Sequence, residues 1–323
     1  MNTFFSFQPL LKRTLWGGTD IVRLKRFNDA PFKIGESWEV SGLQGEPTLV
    51  VGGPDDGKTL AQLVREYGAA FVGRDNLAKY GTDFPLLVKL ISAEQDLSVQ
   101  VHPNDDMAHA MGHAYGKNEM WYVLRADEGA SVVSGFRAPT SLAEFDAALA
   151  DGRMQDLLNI IYTRAGDLFY IPAGRIHSIS RGNFIVEIQQ SSNDTFRVYD
   201  YDRHDDLGRP RELHLAEARQ ALNFADAACA PITYDVPANA AADVLQTPCF
   251  SVRLVAAAQP LALDLSALDS FVIFVGVGGE ARLVSGDEEV EISVGKTVLL
   301  PALAQNLQVI PKTPDFKMLE TFI

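Results

Sequence analysis

The chain has 323 residues, 47% of them hydrophobic and 22% charged, enough for a sizeable core and, by length, for about two domains. A formal net charge of −14 argues against a general nucleic-acid or anionic-membrane surface, which needs clustered Lys and Arg, but leaves room for an anionic small molecule held by a few local cations. Cys229 and Cys249 sit in no CxxC or Cys/His spacing, Lys12 and Arg13 interrupt the N-terminal apolar residues, and no run is long enough to span a membrane, so the expectation is a cytoplasmic protein with reduced thiols.

In chain order, GGPDDGKT (52–59) ends in Gly-Lys-Thr but lacks the first glycine of a phosphate loop, so it reads as a turn leading into a helix. That helix is TLAQLVREYGAAF (59–71), with apolar residues at three- and four-residue steps. The runs LLVKLISA, DLSVQVH and EMWYVLRA follow, rich in β-branched and aromatic residues and bounded by Gly, Pro and Asp. A second amphipathic helix is predicted over 141–162, with Thr140 or Ser141 as N-cap. After the strand-like GDLFYIPA and NFIVEIQQ comes a third helix over 212–224; SFVIFVGV, ARLVSG and GKTVLLPA close the series. Many short strands separated by turns indicate a sandwich or barrel.

The chain also repeats itself. MWYVLRADEGASVVSG (120–135) aligns without gaps on FVIFVGVGGEARLVSG (271–286), and GDLFYIPAGRIHSI (166–179) on GKTVLLPALAQNLQ (295–308). The first copy is longer between its two segments by about the length of the second helix, so it reads as the same β-unit with a helix inserted. Glu119 aligns with Ser270 and His177 with Asn306; the second copy has lost the residues with metal-binding potential. The domains expected are 1–230, with helical insertions near 55–80 and 140–163, and 231–323, the boundary lying in the Ala- and Pro-rich stretch near 228–245.

The chemistry concentrates in the first copy. Residues i and i+2 of a strand share a face, so Gln100 and His102 project together with Ser98 beside them, and Lys117 pairs likewise with Glu119. His177 starts a third strand after the Pro-Ala-Gly turn. Were these strands to line one barrel, two imidazoles, a carboxylate and an amide oxygen would meet at one point, a set suited to Zn²⁺ with a position left open. A lone His or Gln on a strand is also an ordinary satisfied polar group, and spacing leaves both readings open. Glu119 beside Met120 and Trp121 favours the metal, because an unpaired carboxylate is expensive to bury. His109 and His113, four residues apart, read as an exposed helical face without a third ligand.

The ordered segments IGESWEVSG, LLVKLISAEQDLSVQVHPND, GKNEMWYVL, GDLFYIPAGRIHSI and VEIQQSSNDTFRVYD resemble the motifs of type I mannose-6-phosphate isomerases, in particular the short bacterial form. The resemblance runs from about residue 7 to residue 200 and weakens through the C-terminal β-domain. It implies a mainly β fold of two cupin, jelly-roll-like barrels with added helices, the second lacking metal ligands. One zinc ion per chain is implied, bound by Gln100, His102, Glu119 and His177. The family's catalytic arginine falls on Arg197, its carboxylate ten residues earlier on Glu187, and its motif lysines on Lys89 and Lys117. Ile179 stands where longer members have Tyr, and RVYDYDR departs from their sequence after the arginine; both differences concern the sugar pocket.

The activity expected is interconversion of mannose 6-phosphate and fructose 6-phosphate through an enediol. Glu187 is the candidate base, with Arg197, Lys89, Lys117 and Ser98 contacting phosphate or oxyanion. A salt bridge from Arg197 to Asp194, Asp200 or Asp202 is the structural alternative to a catalytic arginine. A cupin metal oxygenase fits poorly with a Gln ligand, and a non-catalytic sugar-binding barrel would need no base. The partner expected is a small sugar phosphate, with no nucleic acid or membrane, and a monomer or weak homo-oligomer as the assembled state.

Overall fold

The computed structural model describes residues 1–26, 33–204 and 208–323. Two facing sheets form around the first repeat. One runs in the order Leu168–Ile171, Glu119–Ala126, Asn183–Gln190, Leu86–Ser92, Glu36–Ser41, Leu10–Lys12; the other in the order Phe196–Tyr199, Val99–Val101, His177–Ile179, Ser131–Phe136, Leu158–Tyr162. Their inner faces share a core. Ile91, Trp121, Val123, Phe169, Ile171 and Ile185 from the first sheet meet Val132 and Ile179 from the second. The outer face of the second sheet is covered in turn, with Val99, Val101, Val133, Phe196 and Val198 packing on Phe145, Ala148, Met154, Ala218 and Leu222 of the helical segments.

The second repeat has the same plan. One sheet runs Ala240–Gln246, Ser251–Ala257, Phe316–Phe322, Val272–Gly278, Thr297–Leu300, and its companion Leu261–Asp264, Asn306–Pro311, Glu280–Ser285, Glu288–Ser293. The aligned segments thus occupy equivalent places in the strand order. Between these sheets Val255, Phe274, Val298, Leu300 and Met318 meet Ala281, Leu283, Ile292, Leu307 and Val309. The chain is mainly β with several sheets, as the motifs implied.

The compact units are interleaved along the sequence. One comprises Met1–Leu10, Trp38–Leu87 and Thr233–Ile323; the other comprises Leu11–Ser37 and Val88–Ile232. The helices Leu60–Tyr67, Ala69–Val72 and Arg74–Tyr80 therefore belong with the C-terminal β-unit, held there by contacts such as Asn76 Nδ2 to Ser270 Oγ at 3.1 Å.

Two helices differ from expectation. The first stops at Gly68 and resumes twice, because Gly68 and Gly73 adopt φ of +53° and +94°. The second is not continuous to 162. Ser141 and Glu144 cap its start reciprocally, the hydroxyl accepting from Glu144 N and the carboxylate from Ser141 N. It ends at Ala150, before Gly152 at φ +67°, and Leu158–Tyr162 is a strand paired with Ser131–Phe136. The apolar run LLNIIY satisfies either period, and sheet pairing decided it. His113 also lies beyond the helix Asp105–Ala110 and pairs with Asp194 at 2.6 Å, so His109 and His113 share no helical face.

Candidate active site

Alternation along six strands aims the polar residues inward. Val99 and Val101 pack outward against the helices, so Gln100 points between the sheets and His102 follows two residues on. Ile179 belongs to the inner core, and His177 shares its face. Trp121 and Val123 do the same for Glu119, Ile185 for Glu187, and Ile91 for Lys89. Phe196 and Val198 face the helices, which turns Arg197 inward. Register then aligns them laterally: Gln100 is paired with His177 on one side and with Arg197 on the other.

His102, Glu119 and His177 come together as the sequence predicted. Their candidate ligand atoms all lie within 4.8 Å of one another, and all three residues are buried. His102 Nε2 is 3.1 Å from Glu119 Oε1 and 3.1 Å from His177 Nε2. His177 Nδ1 lies 2.8 Å from the carbonyl of Arg175, to which it donates; its Nε2 lone pair therefore faces His102 and Glu119. Gln100 reaches the same point, its amide nitrogen 3.2 Å from His177 Nε2 and its oxygen accepting from Ser98 Oγ at 3.3 Å.

Electrostatics suit these groups to a cation. Burial, aided by the Lys117 ammonium, pushes the His102 imidazole down to about 3, and burial also lowers His177 against the pull of Glu119. Both are neutral at pH 7, lone pairs available. Burial alone would raise Glu119, but Lys117, at 3.1 Å, and His102 outweigh it and hold the carboxylate well below its usual range. Both Glu119 oxygens and His102 Nδ1 are buried without a hydrogen bond. A buried carboxylate that faces two neutral imidazoles with its Oε2 unbonded is costly as a purely protein arrangement even with Lys117 beside Oε1, and a divalent cation would offset that cost. The donor set fits Zn²⁺.

A cavity of about 580 Å³ opens above this cluster. Gln100, His177, Lys117, Lys89, Glu187, Ser98 and Arg197 all line it, so the structure brings the sequence-predicted residues to one place. Lys89 and Lys117 are 3% and 4% exposed and committed to ion pairs, Lys89 Nζ to Glu187 Oε2 at 2.9 Å and Lys117 Nζ to Glu119 Oε1 at 3.1 Å. Glu187 also accepts from Trp121 Nε1 at 3.0 Å. Burial and the neighbouring Glu119 charge raise Glu187, Lys89 opposing them. Arg197 makes none of the salt bridges envisaged for it: Asp194 pairs with His113, Asp200 with Arg203 and Arg211, and the Arg197 guanidinium donates to the Glu212 carbonyl at 2.7 Å. Its backbone is held by His214, whose Nδ1 accepts from Arg197 N at 3.2 Å.

Sequence reading passed over Arg13, Trp16, Glu36, Trp121 and Arg211, which also line the cavity. The pattern ESWEVS carried a usable signal, since Glu36 begins a strand whose remaining residues are all buried. Arg211, in the irregular stretch GRPRELH, carried none.

Residues 4–132 match the family model described as phosphomannose isomerase type I, catalytic domain. The chain is 34% identical over 299 residues to a probable mannose-6-phosphate isomerase of Bacillus subtilis, covering 91% of this chain and 92% of the relative. It is 32% identical over 304 residues to the mannose-6-phosphate isomerase of Streptococcus mutans, 93% of each being covered. Among solved structures, the mannose 6-phosphate isomerase from Bacillus subtilis superposes with a TM-score of 0.87 at 30% identity over the whole of both chains. The chain belongs to the type I mannose-6-phosphate isomerase family.

Proposed function

We propose that this chain interconverts mannose 6-phosphate and fructose 6-phosphate at a single zinc ion held by Gln100, His102, Glu119 and His177. The observation that carries this reading is the buried His102–Glu119–His177 cluster at the floor of a cavity lined by cations in an otherwise acidic chain. Rotating the Gln100 amide, whose oxygen and nitrogen are interchangeable in shape, turns its oxygen toward the same point. When bound, the ion supplies Lewis acidity and a template for sugar oxygens. The second repeat, with Ser270 and Asn306 at the aligned positions, serves as scaffold.

In the isomerisation, Glu187 takes the C2 proton of the open-chain aldose, leaving an enediolate with its charge on O1. The O2 proton passes to O1, and the same carboxylate returns its proton to C1, giving the ketose. Burial raises Glu187 toward the working range of a base, and Lys89 and Trp121 hold both its oxygens in place. Lys117 and Ser98 face the sugar hydroxyls, and Arg197 offers a cation to the negative charge of the substrate. Buried walls such as Trp121 limit water around the intermediate.

Metal analysis of the purified protein, with conversion assayed before and after chelation, tests this. About one zinc per chain is expected, with conversion lost on chelation and restored by Zn²⁺. A His102→Asn variant should bind substoichiometric metal. Unchanged conversion after complete metal removal would overturn the proposal.

A further inference from the structure

The two lysines nearest the predicted ion are poorly placed to hold a phosphoryl group. Lys89 and Lys117 are buried and already neutralise Glu187 and Glu119; withdrawing either would strand a buried carboxylate. The cavity holds cations of a different kind on the segment after the Arg197 strand. Arg197 is inward-facing, its Nε is buried without a hydrogen bond, and its Nη1 bonds only a neutral carbonyl. Arg211 lines the same cavity, its side chain 22% exposed. It is braced from behind: Asp200, 4% exposed, pairs with it at 3.2 Å and also with Arg203, whose guanidinium lies over the Tyr201 ring at 5.3 Å. Burial first, then the Arg211 charge, lowers the Arg197 guanidinium from its ordinary value, so the two cations sense each other.

Arg197 and Arg211 line one cavity, the one carboxylate behind Arg211 is shared with Arg203, and planar forks suit a tetrahedral oxyanion bidentately. We propose that Arg211, together with Arg197, grips the phosphoryl group of the substrate and sets the preference for a phosphorylated over a free sugar, with Asp200 and Arg203 as the brace. This rests on the sugar-phosphate reading above. It divides the cavity into a reacting end, where lysines pair with carboxylates, and an anchoring end, where arginines pair with the ligand.

Arg211→Ala, Arg211→Lys and the wild type, all with metal content measured, test it through mannose 6-phosphate kinetics and competitive inhibition by inorganic phosphate. For Arg211→Ala, KM rises about 30-fold, kcat stays within about threefold, and the inhibition constant for phosphate weakens by a similar factor. Arg211→Lys keeps the charge without the fork and recovers part of both. An Arg211→Ala enzyme with unaltered KM and phosphate inhibition would overturn the assignment. So would one that loses kcat and metal together while phosphate inhibition stays intact, since that marks a brace for the fold. A wild-type enzyme that binds inorganic phosphate but does not convert mannose 6-phosphate would instead count against the underlying reading, leaving the anion clamp standing.

Discussion

Trp121 is 1% exposed, sits edge-on to His177, and gives its indole N–H to Glu187. A donor bonded to a carboxylate favours its charged form, so Trp121 helps keep Glu187 ionised against the burial that raises it. Trp121→Phe keeps an aromatic ring and removes the donor. One hydrogen bond to a charged group contributes about 1.5–3 kcal/mol, so kcat should fall roughly tenfold or more while metal content holds. With the donor gone, Glu187 titrates higher, and the acid limb of the kcat profile should move to higher pH. A profile that stays put while kcat falls would show that the ring, and not its N–H, matters. The candidate metal-binding positions were partly legible because strand alternation is a short-range rule: Gln100 and His102 declare a shared face two residues apart, and Glu119 stands out as a carboxylate in an apolar strand, while the full set came from the family resemblance. Trp121 stands in the sequence only as an apolar neighbour of Glu119, and its partner comes from another strand sixty-six residues on. Arg211 depends on a brace from Asp200 that no local pattern encodes.

At the scale of elements, strands were read well where β-branched runs alternated between turns, and helices where a polar face was present. The failures share one cause, a boundary set by glycine conformation or by pairing. Gly73 illustrates it. It joins the helices Ala69–Val72 and Arg74–Tyr80 at φ +94°, and a Cβ there would fall 1.9 Å from the carbonyl oxygen of Asp269. Asp269 in turn accepts from Arg74 N at 3.1 Å and Arg74 Nε at 3.4 Å, fastening this junction to the C-terminal β-unit. A side chain at Gly73 must therefore adopt a disfavoured backbone and displace that contact. Strain of this kind costs about 1–3 kcal/mol before the clash is counted. Gly73→Ala should lower the melting temperature by roughly 5–10 °C, whereas Gly81→Ala, with φ +60° but open space around its Cβ, should show the smaller, purely conformational loss. Equal losses at the two glycines would mean that the Asp269 contact does not hold the junction.

Across the whole molecule, the repeated sheet order places like beside like. The Leu86–Ser92 strand carries Lys89 against Glu187 of Asn183–Gln190, and the Ser251–Ala257 strand carries Arg253 against Glu320 of Phe316–Phe322, at 3.1 Å. Corresponding strands of the two repeats thus each carry a cation–carboxylate pair, buried in the first and with Arg253 24% exposed in the second, and the buried titratable groups answer acid in opposite senses. His102 and His177 have folded values below their unfolded value of about 6.5. Their contribution is present above that pH and is lost as pH falls toward the folded values. Glu320 is pushed by burial up to about 7, the nearby Arg253 opposing and Asp243 reinforcing the rise. Its contribution is full below its unfolded value near 4.5 and is lost as pH rises through 7. Glu187, also raised, acts in the same sense as Glu320. Between pH 6.5 and 5 the metal-free protein should therefore lose stability through the two imidazoles, at up to about 1.4 kcal/mol per pH unit for each, with Glu320 offsetting about the same amount. Glu320→Gln removes that offset. Melting temperatures of the chelated wild type and variant, followed from pH 8 to pH 5, should diverge, with the variant falling more steeply below pH 7. Parallel curves would mean that Glu320 keeps its proton affinity on unfolding, and that the carboxylate of the second half is no more burdened by burial than one in water.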